Sequence, residues 1–162
     1  MHRLAAVATS AICLAAGPAL ADFRTDCAEA ATGEAKVAAC TQAIQSGEWS
    51  GEGLSWAYNN RGLGYRMQDK LQDALKDYDE ALRLNPKNIL ALGNRSYALD
   101  QLGRHAEAIR DWEASLRLGG AETVKQAQRY LRDKGYYTGA IDGLYGGGSK
   151  SALRDCVPDP RC

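Results

Sequence analysis

The sequence predicts an all-α chain: helical hairpins stacked into a short solenoid, followed by a small helical module. Three observations predict it. First, DALKDYDEALRLNP, Asp73 to Pro86, aligns with EAIRDWEASLRLGG, Glu107 to Gly120, at an offset of 34 residues, and the same offset carries Asn60-Arg61 onto Asn94-Arg95. A period of that length is one helix-turn-helix unit. Second, the residues ahead of the last stretch read as helices joined by short turns. Third, the chain closes in the glycine-punctuated run GYYTGAIDGLYGGGSKSALRDC.

The first element is MHRLAAVATSAICLAAGPALA: a basic start at His2 and Arg3, an apolar stretch to Ala16, a Gly17-Pro18 break and an Ala19-Leu20-Ala21 cleavage pattern. This organisation predicts a signal peptide over 1–21 and a mature chain from Asp22, in a periplasmic or secreted location. A lipid-modified reading would use Cys13, but Ile12 before it is too bulky and the apolar stretch too short. Nothing later approaches the roughly 18 apolar residues of a spanning helix, so no membrane insertion is expected. Twenty Lys plus Arg balance twenty Asp plus Glu with no run of one sign, which leaves no electrostatic case for nucleic acid.

Removal of the leader leaves Cys27, Cys40, Cys156 and Cys162. An even number in an oxidising compartment predicts two disulfides. Four cysteines allow three connectivities; the grouping at opposite ends of the chain favours Cys27 with Cys40 and Cys156 with Cys162. No metal or other cofactor is expected, because there is no C-x-x-C and His105, the one remaining histidine, is far from either pair.

The second element, 22–54, reads as a degenerate hairpin. In EAKVAACTQAI, Cys40 stands in the place of Tyr78, Ala43 of Ala81 and Ile44 of Leu82, at a spacing of 38 rather than 34. The excess lies in the loop SGEWSGEGLS. A Cys27–Cys40 bridge would staple this short hairpin where packing is thin.

The third element, 55–120, holds the two full units. The first supplies Tyr58, Gly62, Tyr65, Ala74, Tyr78, Ala81 and Pro86; the second supplies Leu92, Ser96, Leu99, Ala108, Trp112 and Ser115, with Gly120 where proline would stand. Small residues let two helices approach while the rings fill the space between them. This pattern resembles the tetratricopeptide repeat. The resemblance implies a concave surface built from the first helix of each unit, which binds a protein or peptide. By repeat position that surface includes Trp56, Asn59, Leu63, Arg66, Met67, Leu90, Tyr97, Asp100 and Gln101. Its mixture of apolar and amide groups suits an apolar or extended segment.

The last element, 121–162, opens with a capping box at Thr123-x-x-Gln126 and a helix that puts Val124, Ala127, Gln128 and Leu131 on one face. Gln128, Leu131, Gly135-Tyr136, Ile141-Asp142-Gly143, Leu144-Tyr145-Gly146, a Ser149 cap and Ala152-Leu153 follow. This spacing resembles a three-helix peptidoglycan-binding module, shortened at its end by Cys156 and VPDPRC. The resemblance implies glycan or stem-peptide contacts from Arg132, Tyr136, Tyr137, Asp142 and Tyr145.

No G-x-S-x-G, H-E-x-x-H or correctly spaced phosphate loop is present, so a non-enzymatic role is expected. The reading is an adaptor that holds a protein partner and docks to peptidoglycan. Its alternatives are an interaction scaffold without wall binding, or a noncatalytic subunit of a wall hydrolase or secretion machine.

Overall fold

The computed structural model describes residues 23–162; the expected leader over 1–21 lies outside them. The described residues form helices α1 (Phe23–Glu29), α2 (Gly33–Gln45), α3 (Gly51–Met67), α4 (Leu71–Leu84), α5 (Ile89–Gln101), α6 (His105–Asp133) and α7 (Gly147–Cys156), with no strand among them.

The α1–α2 hairpin is too short to hold itself by packing. Cys27 and Cys40, both fully buried, join its helices with Cα atoms 4.6 Å apart. Thr32 caps α2 by accepting from the Ala35 amide at 3.2 Å. Lys36 reaches back to donate to the Cys27 and Ala28 carbonyls at 3.1 and 2.7 Å, satisfying the end of α1. Burial lowers the Lys36 pKa, the direction expected for an ammonium taken out of water.

The first repeat pairs α3 with α4. Its helix begins at Gly51, about a turn before the expected Ser55. The closest approach is at Gly62, where an added Cβ would lie 2.7 Å from the Tyr78 ring. Tyr78 is fully buried and its phenol is pushed up to about 12 by burial, with the nearby Arg66 cation opposing. Asp69 takes the intra-repeat turn at φ 58, in the place where the second repeat has Gly103 at φ 73. The second repeat pairs α5 with the first half of α6. Ser96, standing where Gly62 stands, donates to the Ala108 carbonyl at 2.9 Å.

A matched brace crosses each repeat. Arg61 holds Asp77 through two hydrogen bonds of 2.8 and 2.7 Å, and Arg95 holds Asp111 through two of 2.7 and 2.8 Å. Bidentate pairs of this kind fix geometry as well as charge. Each arginine also reaches the preceding hairpin: Arg95 donates to Asp79 at 2.7 Å and Arg61 to Thr41 at 3.4 Å. The braces therefore tie successive hairpins together.

Helix α6 bends at Gly120, whose φ of 68° and ψ of −165° are not helical. Only glycine adopts that region at low cost. The expected capping box does not form: Thr123 instead donates its hydroxyl to the Gly119 carbonyl at 3.0 Å, across the bend. Past it, Val124, Ala127, Gln128 and Leu131 are buried on one face, as the pattern predicts.

The described residues are all-α. Within 121–162 there are two helical segments rather than three, the end of α6 and α7, with 157–162 forming a turn closed by Cys156 and Cys162. Gly135, just past the end of α6, and Gly143 take positive φ. Helix α7 begins at Gly147, so Ser149 lies inside its first turn rather than at its cap. The main core runs without a break from Leu75, Tyr78, Leu99 and Ala108 of the repeats to Leu131, Leu153 and Val157 of the module, with Tyr65 and Trp112 packed against it.

Candidate binding groove and terminal module

The bend at Gly120 creates the most distinctive surface. Trp112 and Tyr130 are 18 residues apart and would be separated by about 27 Å along a straight helix at 1.5 Å per residue. Instead their rings meet edge to face with centroids 5.9 Å apart. Doubling back places the module beside the second repeat and leaves a groove of about 390 Å³ between them. That volume lies within the range of small-ligand pockets.

The groove is lined by Tyr97, Asp100 and Gln101 of α5, Trp112 and Tyr130 of α6, and Val157 and Cys162 beyond α7. Gly93 also lines it, and an added Cβ there meets nothing within 4 Å. Tyr97 is 49 % exposed, a large ring open to solvent. The Arg66 guanidinium sits over it, 4.7 Å from the ring centroid. Asp100 pairs with His105, whose Nδ1 is 2.9 Å from the carboxylate. Apolar faces flanked by a few oriented polar groups are the usual lining of a binding pocket.

Three of the nine residues expected on the concave surface thus line this groove, and Arg66 borders it. Leu90 and Met67 are exposed and Leu63 half-buried, but none lines the groove. Trp56 stacks on Trp49 with centroids 5.9 Å apart at the other end of α3. Asn59 is interior: 4 % exposed, it accepts from the Asn94 amide at 3.0 Å and so joins α3 to α5. Sequence reasoning missed Gly93 and Tyr130, because the groove depends on the fold-back and not on the pattern of any single helix.

In the module the buried amide of Gln128, 1 % exposed, is the centre. Its Nε2 lies 2.8 Å from Asp142 Oδ1, 3.2 Å from the Leu144 carbonyl, 3.2 Å from Ser149 Oγ and 3.3 Å from the Tyr137 hydroxyl. Its Oε1 accepts from the Gly143 amide at 3.0 Å. One side chain therefore gathers the loop 134–146 and the start of α7 onto α6.

The five residues expected to contact glycan divide into two groups. Arg132 and Asp142 are on the surface. Arg132 donates to the Gly139 carbonyl. Asp142 accepts from Gln128 and from the Leu144 amide at 2.9 Å, and these bonds hold its carboxyl below the usual carboxylate range. The tyrosines turn inward. Tyr137 is buried and donates to the Ala140 carbonyl at 2.8 Å. Tyr136 packs against the main core, and Asp159 beside it raises its pKa. Tyr145 donates to Glu113 Oε1 at 3.0 Å, pinning the module to the second repeat; burial and then Glu113 push its pKa up.

Among the described residues, no group of three or more His, Cys, Asp or Glu side chains is arranged to hold a metal ion, and no helix is long and apolar enough to cross a membrane.

Comparison with known proteins follows the same division. Residues 55–88 match the family model "Tetratricopeptide repeat", and residues 77–110 match a second model of that description. Residues 120–156 match the model "Putative peptidoglycan binding domain". Among curated proteins, the chain is similar to Hsp70-Hsp90 organizing protein 3 of Arabidopsis thaliana, 33% identical over 58 residues, which is 36% of this chain and 10% of that protein. The chain thus spans about a tenth of that relative's length. No solved structure gives a significant match. The chain is a helical protein with tetratricopeptide repeats over 55–110 and a peptidoglycan-binding-domain-like module over 120–156.

Proposed function

We propose that this protein is a noncatalytic, extracytoplasmic adaptor that holds an extended segment of a protein partner in the groove beside Tyr97 and docks to peptidoglycan through its terminal module. The groove carries the reading: the exposed aromatic rings of Tyr97 and Tyr130 line it together with Gly93, Asp100 and Gln101. Two disulfides support a location outside the cytoplasm. On the module, Arg132 and Asp142 are the side chains left at the surface for polar contacts with glycan or stem peptide.

A second reading, a scaffold without wall binding, has a specific observation in its favour: Tyr136, Tyr137 and Tyr145 are committed to internal packing and hydrogen bonds. Cosedimentation with purified sacculi separates the two. The intact chain should pellet, and an Arg132→Ala/Asp142→Ala variant should lose most of that binding. The groove is tested by Gly93→Phe, which fills open space on a helix. This variant should keep its sacculus binding and thermal stability while partner capture falls about tenfold or more, the loss expected when a central anchor pocket is blocked. Unchanged capture would remove the groove from the account. Pelleting that survives the double substitution would remove Arg132 and Asp142 from the wall contact.

A further inference from the structure

The segment 157–162 follows α7 and lies against the last turns of α6, and Val157 and Cys162 line the groove. Its one covalent tie is Cys156–Cys162, six residues apart with Cα atoms 5.2 Å apart. Val157, its first residue, is buried in the main core; beyond it, 158–162 is tied back to α6 by exposed hydrogen bonds. The Tyr130 hydroxyl donates to the Cys162 carbonyl, and Lys134 Nζ donates to the Arg161 carbonyl at 3.0 Å. Arg161 also pairs with Asp159 within the segment itself. Such surface bonds hold a short loop weakly once its covalent closure is gone.

The two disulfides differ in their access to a thiol. Cys27, Cys40 and Cys156 are fully buried, whereas Cys162 is only half-buried. Exchange requires a thiolate to reach a sulfur atom, and exposed disulfides are the labile ones. The Cys27–Cys40 bridge also closes the longer loop, 13 residues against 6, which constrains the unfolded chain more.

We infer that Cys156–Cys162 is a thiol–disulfide exchange site for a dithiol reductant, and that its reduction releases the strap 158–162 and opens the groove where Cys162 lines it. Only the consequence for binding rests on the proposed use of the groove. In the exchange, a thiolate of the reductant attacks Cys162 Sγ. The S–S bond breaks, and its electron pair leaves on Cys156 Sγ, which takes a proton from solvent. The second thiol of the reductant loses its proton and displaces Cys162 from the mixed disulfide, and Cys162 is then protonated. The protein gains two electrons and two protons, and the reductant leaves as its own disulfide.

The test uses the mature chain with both disulfides formed. It is treated with dithiothreitol without denaturant at about pH 8, where thiolate is available, then quenched with iodoacetamide and mapped. Cys156 and Cys162 should be labelled about tenfold or more faster than Cys27 and Cys40. Amide exchange across 158–162 should rise by a similar factor, while α2 to α5 keep their protection. Cys162→Ser should show the same loosened strap without reductant; if that variant fails to fold, the selectively reduced natural chain decides alone. Equal labelling of the two pairs, or unchanged exchange in the strap after its cysteines are labelled, would overturn the inference. Neither readout needs a partner, so a groove that fails the Gly93→Phe test leaves this result standing.

Discussion

The two repeats and the terminal module cover apolar helix faces by different means. In the repeats the work is duplicated: a small residue lets a ring in, and an arginine braces a buried aspartate, once at Arg61–Asp77 and again at Arg95–Asp111. In the module it is concentrated on the single buried amide of Gln128 and on one short disulfide. Duplication spreads stability over many exchangeable positions, as in other arrays whose units contact their neighbours. Concentration makes a small unit dependent on one residue, because a polar network loses more than the sum of its parts when its centre is removed.

The largest effect should come from breaking that centre. Gln128→Leu strands the Gly143 amide and the groups around Nε2 and should cost about 3 kcal/mol, since each buried polar group left unsatisfied costs about 1–3 kcal/mol. Amide exchange would rise first across 134–149. Equal loss of protection in α3 and α4 would argue that module and repeats do not differ in this way.

Next is the brace of the second repeat. Arg95→Met leaves the buried Asp111 without its cation and should cost about 2 kcal/mol in chemical denaturation, somewhat below a fully buried pair because the arginine is partly exposed. Restoring an apolar pair with Arg95→Met/Asp111→Leu should recover most of the loss. Arg61→Met should behave alike at the equivalent place, which sharpens the claim of duplication. A third change tests the join between the regions. Gly120→Ala meets no neighbour but forces an unfavourable backbone conformation, at about 1–2 kcal/mol. It should separate Trp112 from Tyr130, reported by loss of the ring-to-ring proximity in NMR spectra.

The smallest effect is in pH. Asp142 has its folded pKa lowered from the ordinary 3.8, first by Gln128 and then by the Leu144 amide. Its contribution is therefore fully present above that value and is lost as pH falls through the lower folded pKa. The thermal midpoint of the natural chain should exceed that of Asp142→Asn at neutral pH, and the gap should begin to narrow only as pH falls below about 4. A gap that persists in acid would show that the bond to Gln128 does not depend on the carboxylate charge.

The repeats were legible because helical packing is periodic. Gly62, Tyr78, Ala108 and Trp112 each announce a position in a unit of fixed length, and Asp69 could be placed in a turn by alignment with Gly103. The pairing of Arg61 with Asp77 lay in the same alignment but required knowing that α3 and α4 face each other at that height. What escaped was set by contacts between distant segments. The geometry at Gly120 turns a helix back on itself, so Tyr130 became a groove wall although nothing in its own helix marks it. Thr123 and Ser149 were read as caps from local spacing, yet Thr123 binds across a bend and Ser149 accepts from Gln128. Asn59 was read as a surface contact because its repeat position faces the concave side; its bond to Asn94 draws it inside.

The groove is the centre of the functional account, and site-specific photo-crosslinking tests it most directly. A benzophenone side chain at Gln101, on the groove wall, is compared in the producing cell with one at Arg110, on the opposite polar face. The account predicts discrete protein adducts from Gln101, abolished by Gly93→Phe, and none from Arg110. Adducts that are equal at both positions, or that form at Arg110 alone, would contradict it.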